Sequence, residues 1–403
     1  DTIEQRDSIL GDSGAEPEWP EADVIVGNPP FLGGSRILGV LGEEYAGRLR
    51  ALYAGRVPGG ADLVTYWFEK ANQQLQDGRV RRVGLVATQS IRKGSSRNVL
   101  KRIVETGTIF NAWSDEAWVN DGADVRVSLV CFADKNSKFN IKLDDEVVDG
   151  IFSDLSAQTE KSADLTTARV LRYNPSFSFE GVQKNGAFDI SGDLARGWLK
   201  IPNPNGRPNS DVLRPYLKAR DITGRSDDKW MIDFTGFSEN EAAQFERPFE
   251  YVIEHVKPER ETKREKYLRD RYWLLKRPAP NMRVAIGGLT RYIVTPRVAK
   301  HRFYVWLDQR MLPDTRLNVI ARDDNECFGV LSSSIHVAWA LATASRHGVG
   351  NDPTYNVNSC FGTFPFPDGL TLDLAPAEYS NSQAESIADA ARELVSLRNK
   401  WLN

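Results

Sequence analysis

The chain has 403 residues, 41% of them hydrophobic and 27% charged, which is the composition of an ordinary globular protein with two or three domains. No apolar run reaches the length of a membrane span and no signal peptide opens the sequence, so we expect a cytoplasmic protein. The formal net charge of −3 argues against nucleic-acid binding only if the charge is spread evenly along the chain.

The part of the chain before Asn136 alternates between apolar runs and helical patterns. Residues 23–26 predict a buried strand that ends at a Gly-Asn-Pro-Pro turn, and residues 82–88 and 125–132 predict two more buried strands. Helical periodicity covers residues 61–76 and 98–106. Strands that alternate with helices are typical of an α/β sheet.

Beyond Asn136 the sequence becomes polar and rich in turn residues, and we place one domain boundary near Ala163 and another at residue 370. The intervening part is predicted to be mixed α and β. The predicted elements are strands at 283–286, 292–295 and 303–307, a buried helix at 329–345, and a final amphipathic helix from Ser382 to Trp401.

Cysteine and histidine usage indicates no disulfide framework and no metal. Cys131, Cys327 and Cys360 are far apart and odd in number, which favours buried, reduced thiols. The four histidines have no metal-ligand spacing with these thiols or with one another.

Positive charge is concentrated in one window. Between His255 and Arg302 there are fourteen Lys and Arg against four acids, so this window carries +10 and the remainder −13. Acids and bases alternate up to Asp270, as on a solvated helix face. From Trp273 to Arg302 there are no acids, and the cations are interleaved with aromatic residues, so DNA contact is favoured there over a solvated face.

The most informative motif is Asn28-Pro29-Pro30-Phe31, at the carboxyl end of the first strand, where α/β sheets place their ligands. An exocyclic amine is a poor nucleophile because its lone pair is delocalised into the ring. Two acceptors aimed at its N–H bonds, the Asn28 amide oxygen and the Pro29 carbonyl, restore electron density to the nitrogen. Phe31 offers an aromatic face on which an extruded base can stack.

The simpler interpretation of this motif is a turn without function. From ordinary residue frequencies, Asn-Pro-Pro followed by an aromatic residue arises by chance in on the order of one chain of this length in a few hundred. Its position directly after the apolar run Asp23–Val26 makes coincidence still rarer, and we therefore favour the catalytic interpretation.

With these residues the chain resembles the amino-methyltransferases of DNA, and among them the large single-chain type IIL restriction–modification enzymes. The resemblance implies a DNA adenine-N6 methyltransferase that uses S-adenosylmethionine and flips its target base. It also implies the C-terminal part of a class I methyltransferase sheet at 1–163, a mixed α/β target-recognition domain at 164–370, and a C-terminal helix at 371–403. Further matching segments lie at 62–71, 84–90, 118–128, 291–298 and 363–367.

The resemblance also implies a site for the methyl donor. Asp7 matches the acidic position that contacts the donor's adenine, and Asn28 lies beside the donor. Asp62 either hydrogen-bonds the donor or caps its own helix. The family's glycine-rich donor loop and its nuclease signature would lie upstream of this chain, so we expect an incomplete pocket, a missing N-terminal portion of the same protein, and weak donor binding and methylation by this piece alone.

Double-stranded DNA is the predicted partner. Trp118 either sandwiches the flipped adenine with Phe31 or packs in the core. Arginine reads guanine edges and both cation types hold phosphates, although the sequence leaves open which of these residues touch bases. The candidate cations are Arg283, Arg291, Arg297, Lys300 and Arg302.

Two kinds of alternative function remain open. The same acceptor geometry serves cytosine N4 or a protein glutamine amide, but cytosine enzymes more often carry Ser or Asp at the position of Asn28, and glutamine enzymes lack a long recognition region. The other alternative is a DNA-binding specificity module without catalysis of its own, against which the intact Asn-Pro-Pro-Phe motif argues.

Overall fold

The computed structural model describes residues 3–120, 123–158, 165, 168–347 and 352–402. The chain forms two compact units, residues 1–167 and 168–403. The domain boundary that we predict near Ala163 lies outside the described residues. So does Gly122, which belongs to the segment 118–128 that resembles the methyltransferase family. No described helix has the length and apolar character needed to cross a bilayer.

The first unit is built on a six-stranded mixed sheet with strand order β1-β2-β4-β3-β5-β6. Strands β1 and β2 are parallel, whereas β2 pairs antiparallel with β4, and β4 with β3. The elements in chain order are β1 (Val24–Gly27), α1 (Ile37–Leu41), α2 (Glu43–Leu52), α3 (Thr65–Gln76), β2 (Arg82–Thr88), α4 (Arg97–Thr106), β3 (Gly107–Asn120), β4 (Ala123–Asp134), β5 (Lys142–Leu143), β6 (Glu146–Val147), β7 (Gly150–Ile151) and β8 (Ala157–Gln158).

The predicted α/β sheet is confirmed, with two differences in its strands. The strand predicted at 23–26 exists, but Val24 is 51% exposed and Val26 82% exposed, because within the described residues β1 pairs on one side only, with β2. The long strand β3 was not predicted, because the polar run Ser114–Glu116 interrupts its apolar pattern.

The second unit contains two four-stranded sheets, with strand orders β10-β12-β11-β15 and β14-β13-β16-β9. A separate buried cluster joins one face of the latter sheet to the C-terminal helices. The elements in chain order are β9 (Ser178–Glu180), β10 (Asp189–Ser191), α5 (Gly192–Trp198), β11 (Leu213–Leu217), α6 (Ala219–Thr223), β12 (Lys229–Ile232), α7 (Glu239–Ala242), α8 (Glu246–His255), α9 (Lys257–Glu261), α10 (Lys266–Asp270), α11 (Pro280–Ile286), β13 (Arg291–Pro296), β14 (Val305–Asp308), β15 (Leu312–Pro313), β16 (Leu317–Ile320), α12 (Asn325–Ser332), α13 (Ser334–Thr343), β17 (Ser345–His347), β18 (Asp352–Thr354) and α14 (Ala384–Leu402).

Two predictions for the second unit were wrong. The strand predicted at 283–286 is the end of helix α11, which begins at Pro280, a residue well suited to the first turn of a helix. The single helix predicted at 329–345 is two helices, because Ser333 is extended and its hydroxyl accepts the N–H of His336, which starts α13. The mixed α and β character, the strand at 292–295 and the final amphipathic helix are confirmed.

Helix α14 packs against α12 at a point that only glycine fits. A Cβ atom at Gly329 would lie 2.6 Å from the Ile387 side chain and 2.8 Å from the Ile387 carbonyl oxygen. The missing side chain therefore lets the two helices approach closely.

Replacing Gly329 by Ala is expected to destabilise the second unit by roughly 1–3 kcal/mol, because the added methyl group overpacks the α12–α14 contact. Chemical denaturation followed by fluorescence measures this change. Gly197→Ala is the matched control, because Gly197 is also helical and a Cβ there would meet nothing within 4 Å. Equal stability of the two variants would contradict the close contact.

Candidate active site at the carboxyl edge of the sheet

The Asn28–Phe31 motif follows β1 at the edge where β1 and β2 both end. Because these strands are parallel, with Gly27 opposite Leu85, their carboxyl ends lie at the same edge of the sheet. A short 3₁₀ helix, Gln89–Arg92, follows β2 at that edge. The first unit therefore brings two loops together at the place where α/β sheets bind ligands.

The motif is accessible. Asn28 and Pro30 are exposed, Phe31 is half-buried and Pro29 is buried. Within the part of the chain that the structure describes, neither the Asn28 side chain nor the Pro29 carbonyl oxygen makes a hydrogen bond. Both oxygens therefore keep their acceptor lone pairs unused within the described residues, and the Asn28 side chain is open to another molecule.

The loop is held just beyond the motif. The Leu63 amide donates to the Leu32 carbonyl oxygen at 2.8 Å, and the Gly34 amide donates to Asp62 Oδ1 at 2.9 Å. A Cβ atom at Gly34 would lie 2.3 Å from the Gly60 carbonyl oxygen, so the backbone packs directly on backbone here. These contacts fix the course of the chain directly after the motif.

Asp62 also binds the loop after β2. Its Oδ2 accepts the hydroxyl of Ser90, which lies 2.6 Å from Thr88 Oγ1. Its own amide donates to Ser96 Oγ at 3.0 Å. The carboxylate does not cap α3, whose N-cap is Val64 without a side-chain bond, so the N-cap alternative for Asp62 is wrong.

Asp7 lies in an exposed turn at the start of the first unit. Its Oδ1 accepts the amides of Ile9 and Leu10, each at 2.9 Å, and its Oδ2 accepts the Tyr45 hydroxyl at 2.6 Å. Burial, together with the hydrogen bond to Asp7, raises the pKa of Tyr45 above its ordinary value, so the tyrosine remains a donor. Three donors thus hold this carboxylate in one orientation.

Trp118 stands on a hairpin that extends beyond the sheet. Thr88, the last residue of β2, pairs with Val127, whereas β4 begins four residues earlier, and Trp118 on β3 pairs with Val125 in this overhang. The overhang is therefore at the same edge as the motif. Trp118 is half-buried and not part of the hydrophobic core, which does not support the core-packing alternative.

A β-bulge lies at the base of this hairpin. The register between β3 and β4 shifts at Ser114 and Asp115. The Ser114 amide donates to Asp144 Oδ1 at 2.6 Å, and Arg126 Nε donates to Asp115 Oδ1 at 2.5 Å. Because a bulge bends its strand, these bonds fix the direction in which β3 continues toward Trp118.

Three of the five candidate cations are bound within the second unit. Arg283 Nη2 lies 2.8 Å from Asp233 Oδ2, in an ion pair that is not aligned as a hydrogen bond. Arg291 donates to the Asp323 carbonyl oxygen at 3.1 and 3.2 Å and stacks on Trp306, 3.8 Å from the ring centre.

Arg302 is bound by three oxygens of the same unit. It donates to Thr295 Oγ1 at 2.9 Å and to the carbonyl oxygens of Pro296 and Pro353. Burial lowers the pKa of Arg302. These bonds make Arg302 a support for β13.

The other two candidates face outward. The Arg297 side chain is 40% exposed and lies 3.0 Å from Glu180 Oε1, and Lys300 is exposed. Both lie at or just beyond the end of β13, in the acid-free stretch.

This arrangement, an exposed asparagine amide next to an unbonded proline carbonyl at the sheet edge with a mixed α/β unit later in the chain, is that of a DNA methyltransferase with a recognition domain. Family models bear this out: residues 7–142 match "MmeI, DNA-methyltransferase domain" and residues 203–368 match "MmeI, target recognition domain". The chain therefore belongs to the MmeI family, as its resemblance to type IIL restriction–modification enzymes predicted.

The fold is also similar to solved structures. The structure of the type IIL restriction-modification enzyme MmeI in complex with DNA matches with a TM-score of 0.73 and 17% identity, over 94% of this chain and 50% of that one. A DrdV–DNA complex matches with a TM-score of 0.41 and 12% identity, over 94% and 44% of the two chains. The chain thus spans about half the length of these structures. No curated protein sequence matches it.

Proposed function

We propose that this chain is the methylating and sequence-reading part of a restriction–modification protein, and that it transfers a methyl group from S-adenosylmethionine to N6 of adenine in double-stranded DNA. The observation that carries the proposal is the pair of free acceptors on Asn28 and Pro29 at the carboxyl edge of the sheet. The Asn side chain favours adenine N6 over cytosine N4, whose enzymes more often carry Ser or Asp at this position.

Asn28 Oδ1 and the Pro29 carbonyl oxygen accept the two N–H bonds of the adenine amine. As these bonds polarise, the nitrogen lone pair leaves conjugation with the ring and becomes available for attack. Two adjacent prolines fix the loop, so the acceptors are in place before reaction and need no reorganisation. The bound donor supplies an electrophilic methyl group on a sulfonium sulfur.

A base inside a duplex cannot reach these acceptors and must be extruded. Phe31 is half-buried beside the acceptors, and Trp118 stands on the hairpin at the same edge. We propose that the two rings receive the flipped adenine. Such stacking contributes about 1–3 kcal/mol per base.

Asp7 and Asn28 fit a donor site. Asp7 is exposed and its carboxylate is held in one orientation, and Oδ2 retains a lone pair for the amine of the donor's adenine. Asn28 is exposed with a free amide group. Both oxygens of the Asp62 carboxylate already accept hydrogen bonds from the protein. We therefore propose that Asp62 supports this site without contacting the donor.

We place DNA recognition in residues 164–370. The Arg297 side chain is 40% exposed and Lys300 is exposed, and we propose that both contact DNA directly. Arg283, Arg291 and Arg302 support the surface from which these two residues project, because each is bound to other parts of the same unit.

Sequencing the genomic DNA of cells that make the full-length protein tests this function. We expect N6-methyladenine in one fixed sequence context, absent from cells without the gene. N4-methylcytosine in a fixed context would overturn the choice of base. Sequence-specific DNA binding without any DNA methylation would support the specificity-module alternative instead.

A further inference from the structure

We propose that Asp62 is a positioning residue that locks the catalytic loop Asn28–Phe31 to the loop after β2. This role rests on the proposed methyl transfer, since it concerns the residues that would carry that reaction. It differs from the role of donor ligand that the sequence suggested for Asp62.

Each oxygen of the Asp62 carboxylate bonds a different loop. Oδ1 accepts the Gly34 amide at 2.9 Å, three residues after Phe31, and Oδ2 accepts the hydroxyl of Ser90 in the 3₁₀ helix after β2. Asp62 itself is fixed by Ser96, which accepts its amide at 3.0 Å. One side chain therefore joins both loops at the carboxyl edge of the sheet.

The bonds to Asp62 are strong and the packing around them leaves little freedom. Hydrogen bonds to an ionised carboxylate are roughly twice as strong as neutral ones. Gly34 packs directly against the Gly60 backbone, so the loop cannot move toward Gly60. Loss of the Asp62 bonds leaves the loop free to move away from Gly60.

A displacement at Gly34 reaches the catalytic acceptors. Between Gly34 and the motif lies Leu32, whose carbonyl accepts the Leu63 amide next to Asp62, so loss of the Asp62 bonds leaves this one backbone bond to hold the loop. Pro29 and Pro30 fix two successive φ angles, so a displacement that reaches Phe31 moves the motif as a unit. Near the reacting atoms, a misplacement of about 1 Å lowers rates by roughly 10²-fold. Asp62 thus controls the rate of reaction without touching substrate.

The first test is hydrogen–deuterium exchange at the Gly34 amide in this chain. Asp62→Ala is expected to accelerate exchange by about 10-fold or more, because the amide loses a bond to a charged acceptor. Asp134→Ala is the matched control: Asp134 also accepts one backbone amide, at 2.8 Å, and one serine hydroxyl, at 2.7 Å, but at the opposite edge of the sheet. Unchanged exchange at Gly34 in Asp62→Ala would overturn the proposal.

The second test is methyl transfer by the full-length protein to unmethylated genomic DNA with radiolabelled donor. Asp62→Ala is expected to lower kcat by roughly 10- to 100-fold with the KM for the donor within about 2-fold of the unsubstituted protein. Asp62→Asn should restore most of kcat, because its amide oxygen accepts from Gly34 and its N–H donates to Ser90. Asp134→Ala should leave both constants unchanged.

The outcomes separate this proposal from the proposed function. A raised donor KM with unchanged kcat, in both Asp62 variants, would make Asp62 a donor ligand and overturn the positioning role while methyl transfer stands. If the unsubstituted protein methylates no DNA, the proposed function fails, and exchange at Gly34 still decides whether Asp62 holds the loop.

Discussion

Replacing Asn28 by Ala is expected to lower the kcat of methyl transfer by about 10²- to 10³-fold, the usual effect of removing one preorganised hydrogen-bonding group that acts in the transition state. The Asn28 side chain is exposed and makes no hydrogen bond within the described residues, so its removal leaves the fold unchanged. Transfer of labelled methyl groups by the full-length protein to unmethylated genomic DNA measures the rate, and thermal unfolding checks the fold.

Asn140→Ala is the control for this substitution. Asn140 is also exposed and belongs to the same unit, but it follows the end of β4 that pairs with the start of β2, whereas the motif is at the edge where β2 ends. We expect its variant to methylate DNA at the unsubstituted rate. An Asn28→Ala protein that retains more than about a tenth of the rate would show that the amide oxygen is not one of the acceptors.

The second unit is expected to lose about 3 kcal/mol of stability as the pH falls from about 7 to about 4, because of one buried histidine. His336 is fully buried; its Nδ1 lies 3.0 Å from the Leu331 carbonyl oxygen, and the Tyr355 hydroxyl lies 3.2 Å from its Nε2. Burial, with a smaller effect of nearby Arg302, lowers the pKa of His336 from 6.5 to about 4.

The direction of this effect follows from proton binding. Between pH 6.5 and about 4 the imidazole is protonated in the unfolded chain and neutral in the folded one, so added protons favour unfolding. The contribution is fully present above pH 6.5 and is lost as the pH falls through about 4. Urea denaturation at a series of pH values measures it.

A His336→Gln variant separates this contribution from the titration of surface carboxylates. Glutamine can hydrogen-bond both neighbours but carries no titrating group, so its stability should fall less steeply over the same range. His301→Gln, at an exposed position of the same unit, should keep the steep dependence. Parallel pH profiles for the unsubstituted protein and His336→Gln would contradict the prediction.

The catalytic motif and its strand could be predicted because both are local features. Four consecutive residues carry the chemistry, and the apolar run before them sets their place at the end of a strand. The contacts of Asp62 were not predictable in the same way. Gly34 and Ser90 are both 28 positions from Asp62, and neither a period nor a motif connects them.

The candidate cations show why the charge of the sequence did not distinguish side chains that are free at the surface from those bound within the unit. Arg283 is paired with Asp233, fifty positions earlier, and Arg291 is bound to the Asp323 carbonyl, thirty-two positions later. The arginines of the acid-free window are therefore bound by partners that lie outside that window. Helix α11 was mistaken for a strand because its short apolar run fits either period.

The enclosure of Arg291 and Arg302 limits how this protein can acquire a different DNA target. A random library over every basic position between 283 and 302 would consist largely of poorly folded variants, since these two guanidinium groups hold backbone carbonyls together. Variation confined to Arg297 and Lys300 leaves the scaffold intact. Evolution and protein engineering alike would therefore find altered target preference at the outward-facing positions first.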